Sequence, residues 1–243
     1  VVSVTGFILS SMPVGDYDRR VVILSRELGK IAAFAKGARR PNSHLIGVTR
    51  PFIFGTFEVY RGRDSYTIQK ANVTNYFEEL VSDLDGVLYG YYFAELAEYY
   101  GRENLDAADM INLLYVAFKA LVNKSLPNEL VRYIYEIRLI AVNGECPDFF
   151  SCAGCGSEKE LQLYSYKENG MYCVECAASS GDGIVLQSST LYTLQYIITA
   201  PLTKLFNFVV KADVLNELKK VVNRIEFITF DKHFKSKEML DIG

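Results

Sequence analysis

The chain has 243 residues, half of them apolar, with 17 Tyr, 15 Phe and no Trp; that is enough to bury sizeable cores and excludes a disordered chain. Its formal charge of −3 is unevenly spread: residues 1–70 carry eleven Lys/Arg against five Asp/Glu, residues 71–145 five against twelve, and residues 146–243 ten against twelve. The length predicts two or three domains, the basic first third predicts contact with a polyanion, and the lack of any apolar run near the roughly 20 residues of a membrane span excludes a transmembrane helix. The chain opens at Val1, not Met, directly in strand-like residues, so one expects a missing residue or more at the start and a cytoplasmic protein.

Residues 1–75 read as short strands. Val2 to Leu9, Arg19 to Ser25, Lys30 to Ala35, Phe52 to Arg61 and Tyr66 to Val73 are rich in β-branched and aromatic residues, with Pro13, Gly15, Gly29, Gly37, Gly55 and Gly62 as punctuation. Five strands fit a small OB-type barrel that binds nucleic acid, although an SH3-like barrel or small sandwich has a similar pattern. After the third strand comes Lys36-Gly37-Ala38-Arg39-Arg40-Pro41-Asn42-Ser43-His44, a basic irregular loop. Lys30, Arg50, Arg61, Arg63 and Lys70 add charge to the same domain, along with Arg19, Arg20 and Arg26, and Phe34, Phe52, Phe54, Tyr60 and Tyr66 alternate with them. Cations that track phosphates and one or two exposed rings for base stacking are what single-strand binding needs; most of the rings should point into the core. The expected DNA-binding residues are therefore Lys30, Lys36, Arg39, Arg40, His44, Arg50, Arg61, Arg63 and Lys70.

Residues 76–145 turn helical. Ser82 is placed to cap a helix with Leu84, Val87, Leu88, Tyr91 and Tyr92 on one stripe, ending at Gly101; Asp106 opens a second, and Pro127 a third that runs to Gly144. Their many acids read as a solvated surface, since none is joined to a nucleophile or base.

Residues 146–178 contain Cys152-Ala-Gly-Cys155 and Cys173-Val-Glu-Cys176. Two CxxC knuckles at this separation match a tetrahedral four-thiolate zinc shell, and Leu161 to Tyr164, Asn169-Gly170 and Met171-Tyr172 fit the hairpin that brings them together. A redox pair or disulfides are the rival readings; the first lacks a βαβ context and the second an oxidising address. Four thiolates leave no open coordination position, so the expected cofactor is one structural zinc ion. Cys146 falls outside the pattern as a buried free thiol. Residues 179–243 then give the linker Ser179-Ser180-Gly181-Asp182-Gly183, a helix from Thr190 to Ala200 capped by Ser188 or Ser189, and a last amphipathic helix through Val214 and Ile225. These helices should complete the helical domain around the zinc insertion. The expected whole is a multidomain α+β protein: a five-stranded OB-type β-barrel, then an α-helical domain with an inserted four-cysteine zinc hairpin.

No GxxxxGK[ST] loop, GxGxxG turn or GxSxG elbow occurs, and the two histidines, His44 and His233, accompany no nucleophile; a non-enzyme is expected. Two alternatives stand beside this: a metal-dependent nucleic-acid enzyme using the helical acids, and a scaffold whose zinc hairpin and acidic surface bind proteins.

Taken together, Lys36-Gly37-Ala38-Arg39-Arg40-Pro41, the following Pro51-Phe52, Cys146-Pro147-Asp148 leading into the two knuckles, and the closing Phe227 to Met239 segment resemble the RecO family of bacterial recombination mediators, from about residue 3 to residue 240. By position, Lys36, Arg39 and Arg40 match its basic loop, and Cys152, Cys155, Cys173 and Cys176 its zinc knuckles, which not every member retains. The resemblance implies a RecF-pathway protein of the bacterial cytoplasm and nucleoid, active in DNA damage repair and the SOS response. Such a protein binds single- and double-stranded DNA and anneals complementary strands. With RecR it helps load RecA onto single strands coated by single-strand-binding protein.

Overall fold

The computed structural model describes residues 1–63, 65–178 and 181–242. In chain order the elements are β1 (Val2–Val14), β2 (Asp18–Ser25), β3 (Gly29–Ala35), β4 (Phe54–Arg61), β5 (Tyr66–Asn75), α1 (Glu78–Ser82), α2 (Leu84–Tyr100), α3 (Ala108–Asn123), α4 (Asn128–Val142), β6 (Leu161–Ser165), β7 (Gly170–Cys173), α5 (Val174–Ala177), β8 (Gly183–Val185), α6 (Ser188–Thr199), α7 (Ala212–Thr229) and α8 (Lys235–Ile242). They form two compact units, Val1–Ser125 with Phe234–Gly243, and Leu126–His233, so the helices of residues 76–145 divide between them.

In the first unit the five strands close into a barrel of order β1-β2-β3-β5-β4. Closure depends on β1, which pairs with β4 from Val2 to Phe7 and with β2 from Gly6 to Val14, shifting register between Ile8 and Ser10. Gly6 and Gly55 face each other at this corner, where a Cβ on Gly6 would lie 1.9 Å from the Leu24 carbonyl oxygen and one on Gly55 2.3 Å from that of Asn72. Only glycine permits the strands to approach so closely. The interior holds Val4, Ile8, Val21, Ile23, Ile31, Ala33, Phe57, Val59, Tyr66 and Ile68.

A second core lies between the barrel wall and α1–α3, and it is aromatic. Phe118 meets the rings of Phe7, Phe52 and Phe77 edge-on or tilted at centroid distances of 5.4, 5.2 and 5.3 Å, and Tyr115 packs on Phe54 at 5.1 Å. Such pairs add about 0.5–1.5 kcal/mol each to the burial of the rings. Two of these residues have left-handed backbones, Phe52 with φ 71° and Phe77 with φ 47°, which costs about 1–3 kcal/mol each and persists only where the surroundings over-determine it. Phe52 is held by its N–H bonding the Ile8 carbonyl while Ile8 N–H bonds that of Ile53, both at 2.9 Å.

The helix starts differ from the sequence expectation. Ser82 ends α1, its hydroxyl bonding the Glu79 carbonyl, and Asp83 takes the N-cap position of α2. The buried residues of α2 are Gly86, Gly90, Tyr92, Phe93, Ala94, Leu96 and Ala97, so of the expected stripe Tyr92 is buried while Leu84 and Tyr91 are exposed. Glycine has no hydrophobic weight in a periodicity, yet it allows contact here: a Cβ on Gly90 would sit 3.2 Å from both Phe52 and Leu80. The C-terminal segment forms a helix the sequence reading did not mark. Phe234 is buried against Tyr92 and Tyr99, and the Glu95 carboxylate accepts the Ser236 N–H at 3.1 Å in the first turn of α8.

The second unit is built on α4, ten of whose side chains are buried, with α6 and α7 packed on it. As expected, Pro127 sits at the N-cap position of α4 and α6 stops before Pro201, although Gln187 rather than Ser188 or Ser189 precedes α6. Arg138 donates to the carbonyls of Ile197 and Ile198, satisfying the open C-terminal end of α6. Buried beside these helices, Arg132 bonds Glu136 at 2.8 Å and lies 3.7 Å from Glu226, one cation for two acids. Burial and then the Glu226 charge hold the Glu136 carboxyl well above the usual carboxylate range. In the expected linker, Ser179 and Ser180 lie outside the described residues, and Gly183 opens β8, the third strand of a sheet of order β7-β6-β8. No described helix is long and apolar enough to cross a membrane.

Candidate metal centre and nucleic-acid interface

The antiparallel hairpin β6–β7 turns at Asn169, whose φ of 50° the Asn-Gly sequence had signalled. It carries Cys173 to the side of Cys152, which bridges to Met171. The first knuckle is shaped by backbone bonds from Cys152 N–H to the Ser157 carbonyl and from Gly156 N–H to the Cys152 carbonyl, both 2.8 Å, with Gly156 at φ 75°. All four sulfurs lie within 4.8 Å of one another, and those of Cys155 and Cys173 are 3.8 Å apart. A tetrahedron of about 2.3 Å metal–sulfur bonds has sulfurs about 3.8 Å apart, so the set fits a closed four-sulfur metal site. All five cysteines are free, and Cys146 stands outside the cluster, its thiol pushed up to about 12 by burial and then by Asp148.

The local electrostatics suit a cation. Burial opposes ionisation of Cys152, but backbone N–H groups of Cys173, Cys155 and Gly154 outweigh it and draw the thiol down to about 6; the Cys173 N–H lies 3.3 Å from its sulfur. Hydrogen bonds to Cys155 and Cys173 push Cys176 up to about 12. Thiols this close hold one another's protons, and a divalent cation supplies the charge that lets all four ionise.

The barrel's outer surface carries a row of one cation and two rings. Register places Arg20 opposite Phe34, Phe34 beside Thr67, and Thr67 opposite Tyr60, a row across β2, β3, β5 and β4. Their sequence neighbours Val21, Ala33, Ala35, Tyr66, Ile68 and Val59 point into the barrel, so this row faces outward. Arg20 and Tyr60 are exposed, with Phe34 and Thr67 half-buried between them. At about 4.8 Å per strand the row is about 14 Å long.

At one end stands the basic loop. Lys36, Arg39 and Arg40 are exposed; Arg39 donates to the Gly15 carbonyl at 3.1 Å, and the Arg40 guanidinium lies 5.1 Å from the Tyr17 ring centroid. At the β4–β5 turn are Arg61, 6.0 Å from the Tyr66 ring, and Arg63. His44 reaches the Gln69 carbonyl on β5 at 3.3 Å, beside Lys70, which is 4.0 Å from Glu58. Two of the nine expected residues stand apart. The Lys30 amine is turned to the Glu98 carbonyl of α2 at 2.7 Å, and Arg50 lies beside Gly47 in the segment before Phe52. Of the five rings considered, Phe52 and Tyr66 are buried and Phe54 and Phe34 half-buried, leaving Tyr60 exposed. Arg20 and Tyr17 were not marked as candidates; pairing β2 with β3 in register would have drawn attention to Arg20.

Comparison with known proteins shows the family. Residues 1–77 match the family model described as Recombination protein O N terminal, and residues 81–238 that described as Recombination protein O C terminal. The chain belongs to the RecO family. It is 30% identical over 241 residues to the DNA repair protein RecO of Acetivibrio thermocellus, covering 97% of this chain and 94% of that protein. To the proteins of the same name from Oceanobacillus iheyensis and Bacillus subtilis it is 28% and 27% identical, covering 98% and 97% of this chain and 92% of each of them. It is thus a DNA repair protein of the RecO family, with the barrel in the N-terminal match and the cysteine cluster in the C-terminal one.

Proposed function

We propose that the barrel binds single- and double-stranded DNA along the row from Arg20 to Tyr60, between the Lys36–Arg40 loop and the Arg61–Arg63 turn, and that it anneals complementary strands. The observation that supports this is the row itself: the Arg20 guanidinium and two rings of base-stacking type, Phe34 and Tyr60, on the outward side of one strand register. Lysine and arginine displace the counterions condensed on each strand, so two strands held together repel less and pairing begins. Rings accept any base, which suits a protein that must act on many sequences. The action makes and breaks no covalent bond, and none of the basic residues needs a metal.

The four-thiolate cluster holds one zinc ion in this reading, since soft sulfur donors in a tetrahedral set favour it, and the ion staples the hairpin. In the cell the protein works in the cytoplasm, at the nucleoid, in the RecF pathway. With RecR it helps load RecA onto single strands coated by single-strand-binding protein. The test is annealing of two complementary oligonucleotides without nucleotide or magnesium. Acceleration that fades with rising salt is expected; annealing that requires a nucleotide, or none at any salt, would falsify the reading.

A further inference from the structure

Away from the row, the first unit has a second cleft, of about 420 Å³, between the segment Gly47–Ile53 and the helices α1 and α2. Its volume is within the range of small-molecule sites, roughly 300–1,000 Å³. Two guanidinium groups line it. Arg19 donates to the Ser11 hydroxyl at 3.3 Å, and Arg50 is exposed; neither is paired with a described carboxylate. Two tyrosines also line it, Tyr76 at 44% exposure and Tyr91 at 46%. Tyr91 is backed by Phe52 at 4.8 Å, so its ring is held in place while its edge stays open. Glu78 and Ser82 complete the lining with an acceptor and a hydroxyl.

Phe52, at φ 71°, lines the cleft, and Phe77, at φ 47°, follows Tyr76 directly. Non-glycine residues held in the left-handed region gather at ligand clamps, where they aim groups that ordinary geometry would not. Phe52 is fixed by its bond to Ile8, next to the bulge that bends β1, so the cleft wall is built into the barrel closure.

Anion-binding forks, stacking rings and a hydrogen-bond acceptor lining one cleft match one chemical class. We propose that the cleft is a subsite for a single unpaired nucleotide of a DNA strand, its base against Tyr76 and Tyr91 and its phosphate on Arg19 and Arg50. The Glu78 carboxylate accepts from an N–H on the pairing edge, an exocyclic amine of adenine, cytosine or guanine or the N3–H of thymine and its 5-iodouracil analogue, which is free when the base is unpaired. A duplex keeps that edge engaged and its bases stacked, so it cannot fill the cleft. The site separates unpaired from paired strands, a distinction phosphate contacts alone do not make. This inference rests on the DNA-binding reading and refines it.

Photocrosslinking with 5-iododeoxyuridine placed once in an oligonucleotide tests it on the full chain, with three arms: the single strand, the same strand in a duplex, and free 5-iododeoxyuridine monophosphate. The expected result is a crosslink to Tyr76 or Tyr91 from the single strand that falls at least roughly fivefold in the duplex and with the free nucleotide. Tyr76→Ala should weaken single-strand binding by about fivefold or more, as loss of one stacked base does, and leave duplex binding within about twofold. Arg50→Gln, on an exposed side chain, should lower the same crosslink. Single-strand binding with crosslinks confined to Tyr17, Phe34 or Tyr60 overturns the subsite and leaves the DNA reading intact. Equal crosslinking by the free monophosphate overturns its assignment to a strand, and failure to bind any DNA overturns both readings.

Discussion

Replacing Arg39 and Arg40 together by Ala tests whether the basic loop meets phosphate. Both side chains are exposed, and neither is paired with a described carboxylate; Asp18, the acid that reaches this loop, accepts the Gly37 N–H at 2.7 Å instead. Their full charges are therefore open to a polyanion. Each cation that neutralises a phosphate adds about 0.7 to the slope of log affinity against log salt for a single strand and about 0.9 for a duplex. Losing two should flatten the slope by about 1.4 and 1.8. Between 50 and 200 mM salt the wild type would then lose roughly sevenfold more single-strand affinity, and roughly twelvefold more duplex affinity, than the variant. Fluorescence anisotropy of labelled oligonucleotides across that range measures it. Lys30→Ala is the internal comparison: its amine is turned to the Glu98 carbonyl, so its slope should match the wild type. An unchanged slope in the double variant, or an equal flattening in Lys30→Ala, would refute the assignment of the loop.

Three other perturbations test the architecture. Cys152→Ser removes the thiol that draws most on backbone donors; it should abolish stoichiometric metal by elemental analysis and expose the hairpin to protease, and a variant that keeps its metal refutes the cluster. Phe118→Ala empties the centre of the aromatic core and should cost about 3–5 kcal/mol in urea unfolding; a loss below about 1 kcal/mol would show that the rings do not join barrel to helices. Glu136 keeps its proton in the folded state at pH values where the unfolded chain, with an ordinary value of 4.5, releases it. Its stabilising contribution is full below that value and declines as pH rises toward the folded value. Between pH 5 and pH 8 the urea midpoint of Glu136→Gln should therefore fall less than that of the wild type, and parallel curves would refute the raised Glu136 carboxyl.

The resemblance to the RecO family, the five strands and the four-cysteine set were all legible in the chain, because each rests on short-range rules. Alternating side chains, Asn-Gly at a hairpin turn and CxxC spacing act over a few residues, and the structure realises them with shifts of a few residues at the strand ends, apart from β1, expected to end at Leu9, which runs on through Pro13 to Val14 by pairing with β2. Pro127 and Pro201 likewise mark helix limits through a missing N–H and a clash that need no distant partner. What could not be read was which side of each element faces which neighbour. Leu84 and Tyr91 looked buried by period and are exposed, because α2 turns Gly86 and Gly90 inward, where they pack closely on Leu80 and, at Gly90, on Phe52. Lys30 and Arg20 are both basic strand residues, yet one is turned to a helix carbonyl and the other stands at the end of an open row. Composition counts charges equally; strand register and barrel closure decide which of them reach solvent together, and those depend on contacts between residues far apart in the chain.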